Sequence, residues 1–215
     1  RLGRLPRIER ATLTSDRLRI GYLSGDLRYH AVGNLVADLF AAHDRERFTV
    51  QIYSSGPDDG SDNRRRAQAG CDRFVDVRAL SDTQLAQCIA EDGIDVLVDL
   101  SGYTEFSRSR VLTARAAPVQ VSYLGFPGTM GNAAVDAIVV DEFLAPPALA
   151  HFYDERLVAL DGCYQASPHW SLPVQDVDRT AHGLPDDGFV FCSFNHPYKI
   201  RPELFDVWMR LLRQV

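Results

Sequence analysis

The side chains with the clearest chemical potential fall in four short segments, each following an apolar run. One of them, His196-Pro197-Tyr198-Lys199, separates the run 189–195 from a helical pattern over 202–212. Lys199 is the only lysine in the chain. A compact ammonium in a tight loop is a point charge that can meet a phosphate, whereas a guanidinium works through a fixed fork of donors. A solvated loop lysine is the other reading of the same residue. His30 follows Gly25 by five residues and stands just before a helical pattern. There it can act as a general base, donate a hydrogen bond to a phosphate, or simply begin a helix in solvent. Residues 125–129, Gly-Phe-Pro-Gly-Thr, put two glycines and a proline in five positions, with Gly128 and Thr129 at the end. Such a turn offers exposed backbone to a sugar or a peptide, and serves equally as a plain structural turn. The fourth segment is 101–104, Ser-Gly-Tyr-Thr.

Other patterns exclude whole classes of chemistry. The stretch 21–25, Gly-Tyr-Leu-Ser-Gly, lacks the third glycine of a dinucleotide fingerprint, and no Gly-Lys-Ser/Thr forms a phosphate loop. Asp176-Val-Asp178 matches a metal-binding DxD, but it lies in a Pro- and Asp-rich link and not at a strand end, so no metal is expected. His169 and His182 flank that link and read as solvated. Cysteines at 71, 88, 163 and 192 form no CxxC pair, which suits buried reduced thiols in a cytoplasmic protein. A net charge of -6 gives no pull towards nucleic acid, and Arg64-Arg65-Arg66 reads as a solvated helix face. No apolar run is long enough to span a membrane, and no signal-peptide core is seen.

The elements that must position these segments alternate. Strand-like runs over 17–24, 48–54, 73–77, 94–100, 118–124, 135–141 and 156–160 alternate with helical patterns around Leu35–Phe40, over 62–70, 81–91 and 107–114, and from 147 onward. Ser81 and Gln84 form a capping box for the third helix, and Gly93 ends it. Alternating βα units predict a mostly parallel, doubly wound α/β sheet over 17–165. Residues 1–16 carry Arg at 1, 4, 7 and 10 and no apolar period, as a linker would. Residues 166–187 read as an interdomain link, and 188–215 as the first βα unit of a second domain that is truncated here.

Five stretches in this order resemble the catalytic region of O-linked N-acetylglucosamine transferases, bacterial homologues above all. They are 18–30 (LRIGYLSGDLRYH), 57–60 (PDDG), 99–104 (DLSGYT), 117–129 (APVQVSYLGFPGT) and 194–200 (FNHPYKI). The resemblance covers 17–215. It implies a GT-B fold, in which two Rossmann-like domains face each other across a cleft and the second holds most of the nucleotide sugar. It also implies UDP-N-acetylglucosamine as donor, Ser or Thr hydroxyls of proteins or peptides as acceptor, and inversion without metal or other cofactor. Tetratricopeptide repeats precede the catalytic region in family members, so residues 1–16 are expected to end such an array. Carried over by position, His30 matches the family's first-loop histidine, Lys199 the lysine on the donor diphosphate, and Tyr198 its neighbour. Gly128 and Thr129 match a loop near the sugar pocket. His196 stands where animal members have glutamine, and either side chain can hydrogen-bond a phosphate or a sugar. A SPINDLY-type protein O-fucosyltransferase using GDP-fucose shares these motifs. The same residues also leave open a non-catalytic protein-binding module, and a glycosyltransferase that acts on small molecules.

Overall fold

A computed structural model describes residues 3–9, 15–167 and 178–215. The chain forms two compact units, Arg1–Trp170 and Ser171–Val215. The first is built on one sheet of seven strands, among the described residues: β1 Leu18–Ser24, β2 Phe48–Ser54, β3 Arg73–Asp76, β4 Val96–Asp99, β5 Val119–Tyr123, β6 Ala137–Val140 and β7 Arg156–Ala159. Their spatial order is β3-β2-β1-β4-β5-β6-β7, and every pairing is parallel. A parallel sheet must cover both faces, so its strands are apolar on both sides. Leu23, Tyr53 and Leu97 face one core, which includes Leu85, Ile89 and Ala90 of α3 (Asp82–Glu91). Tyr22, Val50 and Ile52 face the other, closed by Val32 and Val36 of α1 (Ala31–Val36) and by Ala67 of α2 (Asp62–Ala69).

The helix starts follow local chemistry. Ser81 and Gln84 satisfy each other's backbone N–H groups in a full capping box, and Ser61 accepts the Arg64 N–H at the start of α2. Gly93 takes a φ of 63°, which lets the chain turn out of α3 into β4. The chain leaves β1 for β2 and β3 on one side, then returns to β4 on the other. That reversal brings the segments after β1 and β4, residues 25–30 and 101–104, side by side at the carboxyl edge of the sheet.

Several sequence expectations change in the structure. The patterns at 107–114 and after 147 form 3-10 helices, Ser109–Ala114 and Pro147–Phe152; both are six residues, and the tighter coil is used in short pieces. Residues 3–9 do not hang free. Leu5 is buried, its N–H donates to Thr113 Oγ1 at 2.9 Å, and the Ile8 N–H donates to the Ala114 carbonyl at 3.1 Å. The run 189–195 forms no strand, because no neighbouring strand among the described residues supplies a hydrogen-bond ladder. Its alternation survives as side-chain placement: Phe189 and Phe191 share a side, their rings 4.7 Å apart. The following helix, α4, spans Pro202–Leu212 as its pattern predicts. The cysteines are free, but none is fully buried; Cys163 and Cys192 are exposed. Asp178 spends its carboxylate on the Thr180 N–H and hydroxyl, while His169 and Asp176 lie outside the described residues. His182 closes an exposed 3-10 turn, Thr180–His182.

The arginine triplet is the largest correction, because it is not a solvated face. Arg64 is only 2% exposed. It donates to Ser54 Oγ at 2.9 Å and Asp76 Oδ2 at 3.2 Å, and its Nε lies 3.2 Å from Asp58 Oδ1. Its guanidinium also lies over the Phe74 ring. Arg66 pairs with Asp38, and Arg65 alone is mostly exposed. The helical period puts residue 64 on the same inward stripe as buried Ala67, so a charge must be met there by partners. Arg64→Ala should therefore cost about 3 kcal/mol, since it empties a buried site and takes the guanidinium donor from the buried Ser54 hydroxyl. Arg65→Ala should stay within about 0.5 kcal/mol. Urea unfolding of the two variants checks the contrast.

Candidate functional site

The two loops at the strand-order reversal are held together by short polar contacts. The Gly25 N–H donates to Ser101 Oγ at 3.0 Å, bridging the ends of β1 and β4. Ser24 Oγ accepts the Asp26 N–H at 3.0 Å. Asp26 is buried, and burial pushes its carboxyl upward; His30, then Arg28 and the Thr104 hydroxyl pull it back. Asp26 Oδ1 lies 3.7 Å from His30 Nδ1 and 3.7 Å from Arg28 Nη2, and Thr104 Oγ1 lies 3.5 Å from Oδ2. Outside this group, the Tyr29 N–H donates to Asp59 Oδ2 at 2.7 Å, and this bond above all holds the exposed Asp59 carboxyl at about 2. The PDDG turn thus fastens the outer edge of the His30 loop.

His30 is the N-cap of α1. Its Nδ1 accepts the Val32 N–H at 3.2 Å, and its side chain is 36% exposed. A neutral imidazole that accepts through one nitrogen carries its proton on the other. In the neutral ring this contact leaves Nε2 as the nitrogen that carries the proton.

Asp99 ends β4 and is fully buried. Its Oδ1 accepts the Ser101 N–H and its Oδ2 the Gly102 N–H, each at 3.1 Å. Burial pushes its carboxyl up to about 6 against the opposing pull of those two bonds.

Residues 125–129 close the third side. Thr129 turns its hydroxyl inward: it donates to Glu155 Oε2 at 2.8 Å and accepts N–H groups from Gly131 at 3.1 Å and Asp154 at 3.2 Å. One donor and two acceptor sites are all a hydroxyl has, so this side chain is saturated within the loop. Gly128 lies against the Phe126 ring. Phe126 in turn meets Tyr103 edge-on, centroids 5.4 Å apart.

In the second unit, His196 caps a 3-10 turn, Pro197–Lys199, with Nδ1 3.5 Å from the Tyr198 nitrogen. The His196 and Tyr198 rings lie 4.8 Å apart. Both residues and Lys199 are exposed, and among the described residues no carboxylate pairs with Lys199. A groove of about 650 Å³ lies beside this turn, walled by Phe191, Phe194, Trp208, Met209 and Leu212 among others. So apolar a wall suits packing better than a charged diphosphate.

Comparison with known proteins identifies the setting of these loops. The profile of glycosyl transferase family 41 matches residues 6–177 and 172–215. The chain belongs to glycosyl transferase family 41. It is 38% identical over 205 residues to a probable UDP-N-acetylglucosamine–peptide N-acetylglucosaminyltransferase, SEC, of Arabidopsis thaliana, covering 93% of this chain and 21% of that protein. It is 33% identical over 172 residues to the UDP-N-acetylglucosamine–peptide N-acetylglucosaminyltransferase of Caenorhabditis elegans, covering 78% of this chain and 15% of that protein. A mutant O-GlcNAc transferase of Thermobaculum terrenum superposes with a TM-score of 0.78 at 36% identity, over 92% of this chain and 37% of that one. The chain thus spans about a fifth of the length of the first of these curated relatives. The Rossmann-like, GT-B class read from the sequence stands.

Within this family 41 chain, the structure joins the His30 loop to the 101–104 loop through Gly25–Ser101 and Asp26–Thr104, and sets Gly128 and Thr129 on the loop beside Tyr103. Sequence reasoning missed Asp26, Asp99 and Glu155. Asp99-Leu-Ser-Gly102 did carry a signal, since an Asp at a strand end before Ser-Gly favours a side-chain-to-backbone turn. Glu155 carried none, because its partners come from a loop 25 residues earlier.

Two measurements follow. Nitrogen-15 NMR of the imidazole should show neutral His30 protonated at Nε2. For Asp99, a folded value raised from 3.8 to about 6 adds stability at low pH that is lost as pH rises through 6. Asp99→Asn should therefore gain on the wild type between pH 4 and 7, read as the difference in urea unfolding free energy.

Proposed function

We propose that this chain is the catalytic region of an inverting, metal-independent transferase that moves N-acetylglucosamine from UDP-N-acetylglucosamine to Ser or Thr hydroxyls of proteins. The observation that carries the reading is His30 seated at the strand-order reversal of a family 41 chain, its Nδ1 engaged by the Val32 N–H. Its support is the identity to relatives named as UDP-N-acetylglucosamine–peptide transferases, held over 93% and 78% of this chain.

The chemistry sets two demands. Single displacement at the anomeric carbon forms the bond to the acceptor oxygen as the bond to the diphosphate breaks, which inverts the centre, and the acceptor hydroxyl must give up its proton to a basic group or to water. The leaving diphosphate gathers negative charge and needs a fixed cation or N–H donors. Lys199 offers an ammonium with no carboxylate partner among the described residues, on a turn whose shape His196 and Pro197 set. Tyr198 flanks it with an exposed phenol, and His196 is the adjoining donor contact. His30 offers a hydrogen-bond donor to the donor sugar-phosphate or to the acceptor. In the loop 125–129, Gly128 is the sugar-side contact through its backbone, and Thr129 keeps that backbone in place through Glu155.

Calorimetry on the full-length protein tests the reading. UDP-N-acetylglucosamine should bind and GDP-fucose should not. Lys199→Ala should weaken donor binding about ten- to a hundred-fold, the range for losing a charged hydrogen bond. Preference for GDP-fucose would move the assignment to protein O-fucosyl transfer. Binding of neither nucleotide sugar would leave a protein-binding module, and unchanged affinity in Lys199→Ala would remove Lys199 from the diphosphate.

A further inference from the structure

We propose that Asp99 is the positioning residue of the transfer site, its carboxylate shaping the 101–104 turn on which the other two loops of the first unit are set. The inference rests on the transferase reading above for its kinetic consequence, but not for its structural one.

Three contacts converge on this turn. Asp99 holds the Ser101 and Gly102 N–H groups, one on each oxygen, which fixes the turn at its root. Ser101 then presents Oγ to the Gly25 N–H, so the loop carrying Asp26 and His30 is tied to the turn at its first residue. Thr104 closes the turn, its hydroxyl 2.9 Å from the Ser101 carbonyl and 3.5 Å from Asp26 Oδ2. On the other side, Gly102 takes a φ of 58° and lies so near Phe126 that a Cβ would stand 2.3 Å from the Phe126 Cβ. At Gly125 a Cβ would stand 2.0 Å from the Leu100 carbonyl oxygen. The loop 125–129 is therefore seated directly on the backbone that Asp99 organises. A shift of this turn would move both neighbours.

The residue type matters. A carboxylate offers two acceptor oxygens and can hold both N–H groups at once. Asparagine holds one and turns an NH2 towards the other. Among the described residues no cation offsets the burial of this charge: burial and the two N–H groups are the influences on it. Its sheet neighbours in register, Leu23 and Ser122, bring no charge, and Ser122 Oγ is itself buried without a partner among the described residues. A fully buried anion held only by two backbone donors loses its hold when either donor is lost, which makes the turn sensitive to a single atom.

The test compares the full-length wild type with Asp99→Asn and Ser101→Ala. The readouts are kcat, KM for UDP-N-acetylglucosamine, thermal unfolding, and hydrogen exchange at the Gly25, Ser101 and Gly102 amides. Asp99→Asn should stay folded, exchange these three amides at least tenfold faster, and lose at least tenfold in kcat with donor KM within about threefold. Ser101→Ala should speed exchange at Gly25 alone and lower kcat by about three- to tenfold. If Asp99→Asn lowers the melting temperature but leaves kcat and the Gly25 amide unchanged, Asp99 is merely structural and the proposal is overturned. If Asp99→Asn does not fold, Ser101→Ala decides: unchanged kcat with faster Gly25 exchange overturns it, and a lowered kcat sustains it. If the wild type transfers no sugar, the proposed function fails. The Gly25 exchange in Asp99→Asn then decides the positioning role alone.

Discussion

The pairing of β1 with β4 is the constraint on which the candidate site depends. Leu23 lies in register with Asp99, so both strands end at nearly the same level and their following loops emerge side by side. The chain has already gone out to β3 and returned, so the connections from these two strands depart in opposite directions along the sheet and leave a crevice between them. That crevice is a consequence of strand order alone. What fills it, from His30 on one loop to Thr104 on the other, follows from which residues stand just past each strand end.

Rigidity at this edge comes from carboxylates that accept backbone N–H groups. Asp99 takes two, Glu155 takes the Met130 N–H together with the Thr129 hydroxyl, and Asp59 takes the Tyr29 N–H. Asp141, just past the end of β6, does the same for Leu144 and Tyr164 and has its carboxyl lowered for that reason. Bonds of this kind fix loop geometry more narrowly than exposed ion pairs, which trade partners in water. The arginines do different work. Arg64 fills an inward helix position and gathers the ends of β2 and β3 together with Asp58 of the PDDG turn, so its role is packing and charge closure.

Much of this was legible as pattern. The strand runs appeared because a parallel sheet buries both faces and so demands continuous apolar stretches. The Ser81–Gln84 cap appeared because capping is local. The triplet 64–66 misled for an instructive reason: three adjacent arginines look alike in sequence, but a helix turns about 100° per residue and sends one of them inward. The stretch 189–195 misled because an apolar alternation states a preference for extended backbone, whereas a strand also needs a partner. The segment 3–9 misled because two apolar residues, Leu5 and Ile8, give no period, yet they suffice to dock on a core that other elements have already built.

Three things came from the order of residues without any coordinates: the α/β class, the positions of the loops that follow strand ends, and the resemblance that led to family 41. These depend on short-range pattern and on motif identity, which survive without knowledge of partners. Which groups are met and which are left open was settled by folding. It paired Thr129 with Glu155, buried Asp99 beneath two N–H groups, and turned Nδ1 of His30 towards the Val32 N–H. Each of these depends on distances between atoms brought together across the chain, and a hydrogen-bonding group's chemistry is set by its partners.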